Sequence, residues 1–274
     1  MPELPEVETI KRELKPRLIH KKIKKCTVLR NDIIAYPDPK EFCKSITNES
    51  IIDVSRKAKY LFLELTNDKK IIFHLRLSGT ISLRKARVKP ERFTRVIISI
   101  NGHQLFFNEP RALGRIYLVK GNRKLPMLKG LYNLGIEPTA DSFNFSYMNG
   151  KLKGRKAKIK SLLLDQSICA GVGNIYSDEA LFKAGVRPLR RAYRMTIKET
   201  ARLVKALKDV IRKGIDNYGT SVADYHRTDG KDGSFQNFLN VYGKENEPCN
   251  VCGTKIVLKK LGNRSTRYCP KCQK

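Results

Sequence analysis

Hydrophobic positions change period three times along the chain, and each change predicts a different kind of element. Residues 3–15 carry apolar side chains at helical spacing and predict a short helix, stopped near Pro16. Seven runs rich in Ile, Val, Leu and Phe follow, bounded by polar turns: Ile23–Leu29, Ile51–Ser55, Tyr60–Leu65, Lys70–Leu77, Arg95–Ile100, Gln104–Asn108 and Arg115–Val119. Asn101-Gly102 between two of them is a strong two-residue hairpin signal. Many short strands without interleaved helices predict an antiparallel β-sandwich. Around 135–150 the character shifts at Gly135-Ile136-Glu137-Pro138, which predicts a linker. Beyond it Thr196 and Glu199 form a capping box, and Leu203, Leu207, Val210, Ile211 and Ile215 give a 3.6-residue stripe over 196–218. A loop rich in Gly, Asp and Ser, about 219–234, precedes a last small module. The fold class is α+β and multidomain, divided as 1–134, a hinge at 135–150, a helical domain at 151–243 and a terminal module at 244–274.

Composition sharpens this picture at two points. The 274 residues carry 56 Lys+Arg against 26 Asp+Glu, a net charge of +30, which suits a polyanionic partner. Six basic residues, Lys151, Lys153, Arg155, Lys156, Lys158 and Lys160, fall within ten positions that hold no acid. Trp is absent and aromatics make up 8%, which argues against a pure base-stacking platform for single strands. No apolar run is long enough to span a bilayer and no signal-peptide core follows Met1, so a cytosolic protein is expected. Of seven cysteines, Cys26, Cys43 and Cys169 are scattered, while four close the chain as Cys249-x2-Cys252 and Cys269-x2-Cys272. Paired knuckles at this spacing predict a closed, structural four-thiolate zinc site. Between them, Ile256–Leu258 and Thr266–Tyr268 predict a hairpin whose tip carries Arg264, a group that either grips phosphate or sits solvated in the turn.

The N-terminal run Pro2-Glu3-Leu4-Pro5-Glu6-Val7-Glu8-Thr9 has two readings. Prolines and acids are ordinary helix-start residues. Removal of Met1 would also free the Pro2 nitrogen, whose pKa lies well below a lysine's, leaving a nucleophile with Glu3 and Glu6 on one helical face beside it. A second candidate is Gln166–Ala180, where Gly171-Val172-Gly173-Asn174 opens a helix and could offer free N–H groups to a phosphate.

Taken together, these strings resemble the formamidopyrimidine-DNA glycosylases, base-excision repair enzymes related to endonuclease VIII. PELPEVET resembles the family's N-terminal signature, and Gln166–Ala180 resembles its helix–two-turn–helix element. Ala58-Lys59-Tyr60-Leu61 resembles the strand carrying the family's lysine. His74–Gly79 and Asn108–Gly114 resemble the loops that enter the duplex where a nucleotide has been extruded. The resemblance covers essentially the whole chain. It implies a catalytic β-sandwich, a helical DNA-binding domain with a lesion loop at about 218–236, and a zinc hairpin, with one structural zinc ion and no redox cofactor. The implied partner is double-stranded DNA containing damaged bases, lying in a basic cleft. The implied protein is a bacterial, nucleoid-associated monomer.

By resemblance, Pro2 nitrogen attacks C1′ of the damaged nucleotide and expels an oxidised purine. Glu3 acts as general acid, and β,δ-elimination then cleaves the strand. Lys59 orients the sugar or a phosphate, although its residue type alone reads as a solvated lysine. Glu6 either holds the N-terminal turn or serves the helix. Arg264 joins this set and, with Lys156, Lys160 and Asn174, contacts phosphate, while His74, Phe93 and Tyr242 contact DNA. Leu77, Arg111 and Leu113 fill the vacated stack. Here the chain departs from its relatives: Leu77 replaces the usual Met, Leu113 a Phe, Ala112 an Arg and Phe93 a His, which leaves lesion and opposite-base preference open. Two other readings remain: an oxidised-pyrimidine-preferring enzyme of the endonuclease VIII type, and a damage-binding protein without turnover.

Overall fold

A computed structural model describes residues 2–222 and 225–274, which form two compact units: one built from the chain up to Leu131 together with Asn217–Ser234, the other from Tyr132–Asp216 and Phe235–Lys274. Ala223 and Asp224, within the expected lesion loop, lie outside the described residues.

The first unit begins with α1 (Leu4–Leu18). Its apolar face, Val7, Ile10, Leu14 and Leu18, is wholly buried. Pro16 does not stop this helix but lies inside it. So near the C-terminus a proline removes one backbone hydrogen bond, and the burial of Leu14 and Leu18 outweighs that loss. The strands are β1 (Ile23–Val28), β2 (Ile34–Tyr36), β3 (Ile51–Lys57), β4 (Tyr60–Leu65), β5 (Lys69–His74), β6 (Thr80–Lys85), β7 (Thr94–Ile100), β8 (His103–Asn108) and β9 (Arg115–Lys120), with α2 (Pro39–Ile46) between β2 and β3. They form two sheets, ordered β1-β7-β8-β6 and β2-β9-β5-β4-β3. Inward residues of both sheets, such as Ile98, Leu105 and Phe107 from one and Leu63, Ile71 and Ile116 from the other, share one core cluster, as two packed sheets require. Asn101-Gly102 joins β7 to β8 with Ile100 opposite His103, and Gly102 has φ +75° as that tight turn demands. The pairing is antiparallel except at β2 and β9, which run parallel.

The second unit is helical: α3 (Lys129–Tyr132) leads into it, followed by α4 (Phe145–Leu152), α5 (Ile159–Leu164), α6 (Asn174–Ala184) and α7 (Ile197–Asp216). Glu199 accepts from Thr196 N and Thr196 Oγ1 accepts from Glu199 N, completing the expected capping box. The α6–α7 packing depends on Gly214, where a Cβ would lie 2.5 Å from Tyr176 Cε1. The chain ends in the hairpin β10 (Val257–Leu261) and β11 (Arg264–Tyr268), turned at Gly262-Asn263 with Leu261 opposite Arg264. No helix among the described residues is long and apolar enough to cross a membrane.

Candidate active site and nucleic-acid interface

In the first unit the acids of the N-terminal turn are buried and mutually bonded. Glu3 is the N-cap of α1, and its side chain accepts from the Glu6 backbone, while Glu6 Oε2 accepts from Glu3 N at 2.7 Å. A Glu pair three apart thus performs the role usually given to Ser/Thr with Glu. The other Glu6 oxygen accepts from Thr220 N at 2.8 Å, so one carboxylate joins the start of α1 to the loop that follows α7. Gly219, at φ +80°, permits the approach, since a Cβ there would sit 2.8 Å from Glu6 Cγ. The same loop is held further along by Glu13, which accepts from Arg227 Nε at 2.6 Å and from Thr228 N and Oγ1 at 2.9 and 2.7 Å. Pro2, Glu3 and Glu6 are all buried.

Lys59 belongs to the same unit but does not sit in a strand. It is the second residue of the two-residue connection between β3 and β4, after Ala58 at φ +50°. That conformation is costly for a residue with a Cβ. Arg56 holds it by donating to Ala58 O at 2.9 Å and bridging to Glu8 Oε2 of α1 at 2.9 Å. The Arg56 and Lys11 cations keep the Glu8 carboxyl below the usual range although burial opposes them.

His74 closes β5 with its ring stacked on Tyr60, 4.2 Å between centroids. Burial first, then the charges of Arg76 and Lys59, push its pKa down from 6.5 to about 3, so the imidazole is neutral. Folded His74 therefore binds fewer protons than unfolded His74 between these values, and stability contributed by the neutral ring is lost as pH falls through that window. Unfolding in urea at pH 7 and pH 5 should show an acid loss of about 1–2 kcal/mol that His74→Phe removes while keeping the stack. An unchanged loss in that variant would place the acid sensitivity elsewhere.

Leu77, Arg111 and Leu113 lie on two loops organised by one carboxylate that no role was foreseen for, Glu109. It is fully buried and accepts from Arg111 N at 3.0 Å, from Gly114 N at 2.7 Å and, in a short bond, from Ser78 Oγ. Arg111 is exposed, Leu113 is 41% exposed and Leu77 half-buried. In the sequence, only its place in the Asn108–Gly114 string sets Glu109 apart from other loop acids. Phe93 is 40% exposed, with the Arg92 and Arg95 guanidinium groups over its ring.

In the second unit, Asn174 is the first residue of α6, and its Oδ1 is buried without a hydrogen-bond partner. Gln166 staples the preceding turn, donating to Leu164 O and Val172 O and accepting from Gly171 N. Lys156 and Arg264 are exposed, and Arg264 starts β11 at the hairpin tip. Tyr242 is half-buried beneath the Arg267 guanidinium, and its N–H donates to Glu179.

Lys160 was expected on phosphate, and the structure corrects this. Its side chain has no exposed surface; Nζ lies 2.7 Å from Asp178 Oδ1, and donates to Ser265 O and Thr266 Oγ1 of β11. Burial pushes the Asp178 pKa up and Lys160 pulls against it. Removing one partner of such a pair leaves an uncompensated buried charge. Lys160→Met should cost about 3–5 kcal/mol in urea unfolding, with the salt slope of DNA binding unchanged. A phosphate ligand would instead lower that slope by about one.

The four cysteine Sγ atoms of the terminal knuckles lie within 4.8 Å of one another. Cys249–Cys272 are separated by 3.9 Å and Cys252–Cys269 by 3.5 Å, close to the ~3.8 Å edge of a tetrahedron with Zn–S bonds of about 2.3 Å. The donor set therefore fits one structural zinc ion.

Residues 1–116 match the formamidopyrimidine-DNA glycosylase N-terminal domain, 134–226 that enzyme's H2TH domain, and 246–274 the zinc finger found in FPG and IleRS. The formamidopyrimidine-DNA glycosylase of Pelotomaculum thermopropionicum is 44% identical, over 100% of this chain and 99% of its own. The chain belongs to the formamidopyrimidine-DNA glycosylase family. Among solved structures, a Lactococcus lactis FPG point mutant bound to Fapy-dG DNA superimposes with TM-score 0.93 at 33% identity, covering both chains fully. The wild-type Lactococcus lactis protein bound to oxidised-pyrimidine DNA gives 0.92 at 33%, and a MutM bound to DNA with carbocyclic 8-oxo-G gives 0.92 at 32%, again over both whole chains.

Proposed function

We propose that Pro2 is the nucleophile with which this chain, a DNA glycosylase with abasic-site lyase activity, excises oxidised purines such as 8-oxoguanine and formamidopyrimidines. The observation that carries the reading is one buried carboxylate, Glu6, that bonds both the turn bearing Pro2 and the loop at Thr220. A nucleophile at a chain terminus must be held still to attack one sugar carbon, and this double anchor supplies that restraint. Glu6 is accordingly a positioning residue.

After Met1 is removed, the secondary amine adds to C1′ and the base departs. Glu3, next in the chain, donates the proton needed as the sugar ring opens. The resulting iminium draws electrons from C2′, so the C2′ proton is lost and the 3′ phosphate leaves. A second elimination releases the 5′ phosphate. Lys59 places a positive charge beside the sugar-phosphate, and Leu77, Arg111 and Leu113 occupy the emptied stack, offsetting lost base contacts. Lys156, Asn174, Tyr242 and Arg264 hold the backbone. The protein acts as a monomer on duplex DNA in the bacterial cytosol.

Borohydride trapping tests this directly. Mature protein should form a covalent adduct with an 8-oxoguanine duplex, and its absence would leave a DNA-binding protein without turnover. The Lactococcus lactis complex with oxidised-pyrimidine DNA favours a second reading in which pyrimidine lesions are also taken. Faster excision of thymine glycol than of 8-oxoguanine or formamidopyrimidine would make that reading primary.

A further inference from the structure

Two cysteines of the first unit, remote in function from the zinc knuckles, lie side by side. Cys26 is on β1 and Cys43 on α2, seventeen positions apart, with their sulfurs 2.7 Å from each other. A disulfide bond is about 2.05 Å long, so the fold already holds both sulfurs within a short displacement of bonding. Both are half-buried, with their inner sides against the main core, while Cys169 is buried in the other unit. β1 is an edge strand, hydrogen-bonded on one side to β7.

We propose that Cys26 and Cys43 are an oxidative modification site, closed to an intramolecular disulfide by a hydroperoxide, that ties the edge strand β1 to α2. The inference is independent of the glycosylase reading. Burial pushes both thiols up, but their mutual contact raises Cys26 further while pulling Cys43 back down. Cys43 is thus the first attacker. Its thiolate takes one peroxide oxygen, breaking the O–O bond and releasing hydroxide, to give a sulfenic acid. The Cys26 sulfur then attacks the Cys43 sulfur, forming S–S and expelling the sulfenic oxygen as water. Overall two thiols and one hydrogen peroxide become one disulfide and two waters. The link closes the segment holding β2 and the first turns of α2, restricting the unfolded chain more than the folded one.

The test uses the full-length, zinc-loaded protein, treated with stoichiometric hydrogen peroxide, then denatured, alkylated and mapped by peptide mass. The expected result is a peptide pair joined through Cys26 and Cys43, lighter by two hydrogens than the separate peptides and released by dithiothreitol, with zinc retained. Melting of the oxidised protein should rise by about 5 °C, reversibly on reduction. Cys43→Ser should abolish both effects; if that variant folds poorly, the wild-type map decides alone. Cys26 and Cys43 both alkylated while the zinc thiolates oxidise, a Cys43 sulfinic acid, or either residue joined to Cys169 would overturn the site. A link without a melting change would overturn the proposed tie.

Discussion

Pro2→Gly should reduce strand cleavage of an 8-oxoguanine duplex by about 10²–10³-fold, while leaving DNA affinity within about threefold of wild type. Glycine is a demanding test because it also permits Met1 removal and leaves an amine at the same place. Two things change. A primary amine gives an imine that must be protonated to act as an electron sink, whereas proline gives an iminium that is cationic without a proton. Glycine also turns more freely about its Cα–C bond and lacks the ring that packs against the turn, so the amine is held less firmly against the sugar. Neither change touches the buried Glu3–Glu6 pair that starts α1. Thermal stability should therefore shift little, and the borohydride adduct should fall in parallel with cleavage. Wild-type cleavage by Pro2→Gly would remove Pro2 from the chemistry and leave its turn a helix start and nothing more.

Features governed by near neighbours were legible before any coordinates. The Asn101-Gly102 turn, the Thr196–Glu199 capping box and the Cys249–Cys272 cluster each depend on residue types at short fixed spacings. What was hidden depends on partners far away in the chain. Lys160 reads as one more cation of a basic run, and only Asp178 and β11, more than 100 residues on at Ser265, make it an interior residue. Glu109 looks like a loop acid until it is seen binding Arg111, Gly114 and Ser78 at once. β6 and α2 lie outside the predicted runs: β6 alternates Ile81 and Leu83 with Thr, Ser and Arg, and α2 buries only Phe42 and Ile46. The resemblance placed Lys59 on a strand, but Arg56 holds Ala58 in a left-handed turn just before it. At the N-terminus the resemblance drew Pro2, Glu3 and Glu6 together, whereas the reciprocal Glu3–Glu6 bonding was not legible, since Glu is an unusual N-cap.

Stripping zinc should have the second large effect, and it should reach beyond the hairpin. The apolar cluster there is Val241, Cys249, Ile256 and Cys269 with a few partly buried neighbours, too little to hold β10 and β11 together alone. Structural zinc binding in comparable modules is worth about 10–16 kcal/mol, so chelation should unfold the hairpin. Its loss removes Arg264 from its fixed tip, and also Ser265 O and Thr266 Oγ1 from Lys160 and the Arg267 N–H from Asp178. The buried ion pair of the helical unit is then left with unsatisfied groups, a cost of about 1–3 kcal/mol for each. Hydrogen exchange on chelated protein should show lost protection in β10, β11 and the start of α6, with weakened DNA binding and a smaller salt slope. Restored zinc should reverse all three. Full DNA affinity in protein shown to be metal-free would mean that the hairpin stands without its ion and that the hairpin tip contributes nothing to holding the duplex.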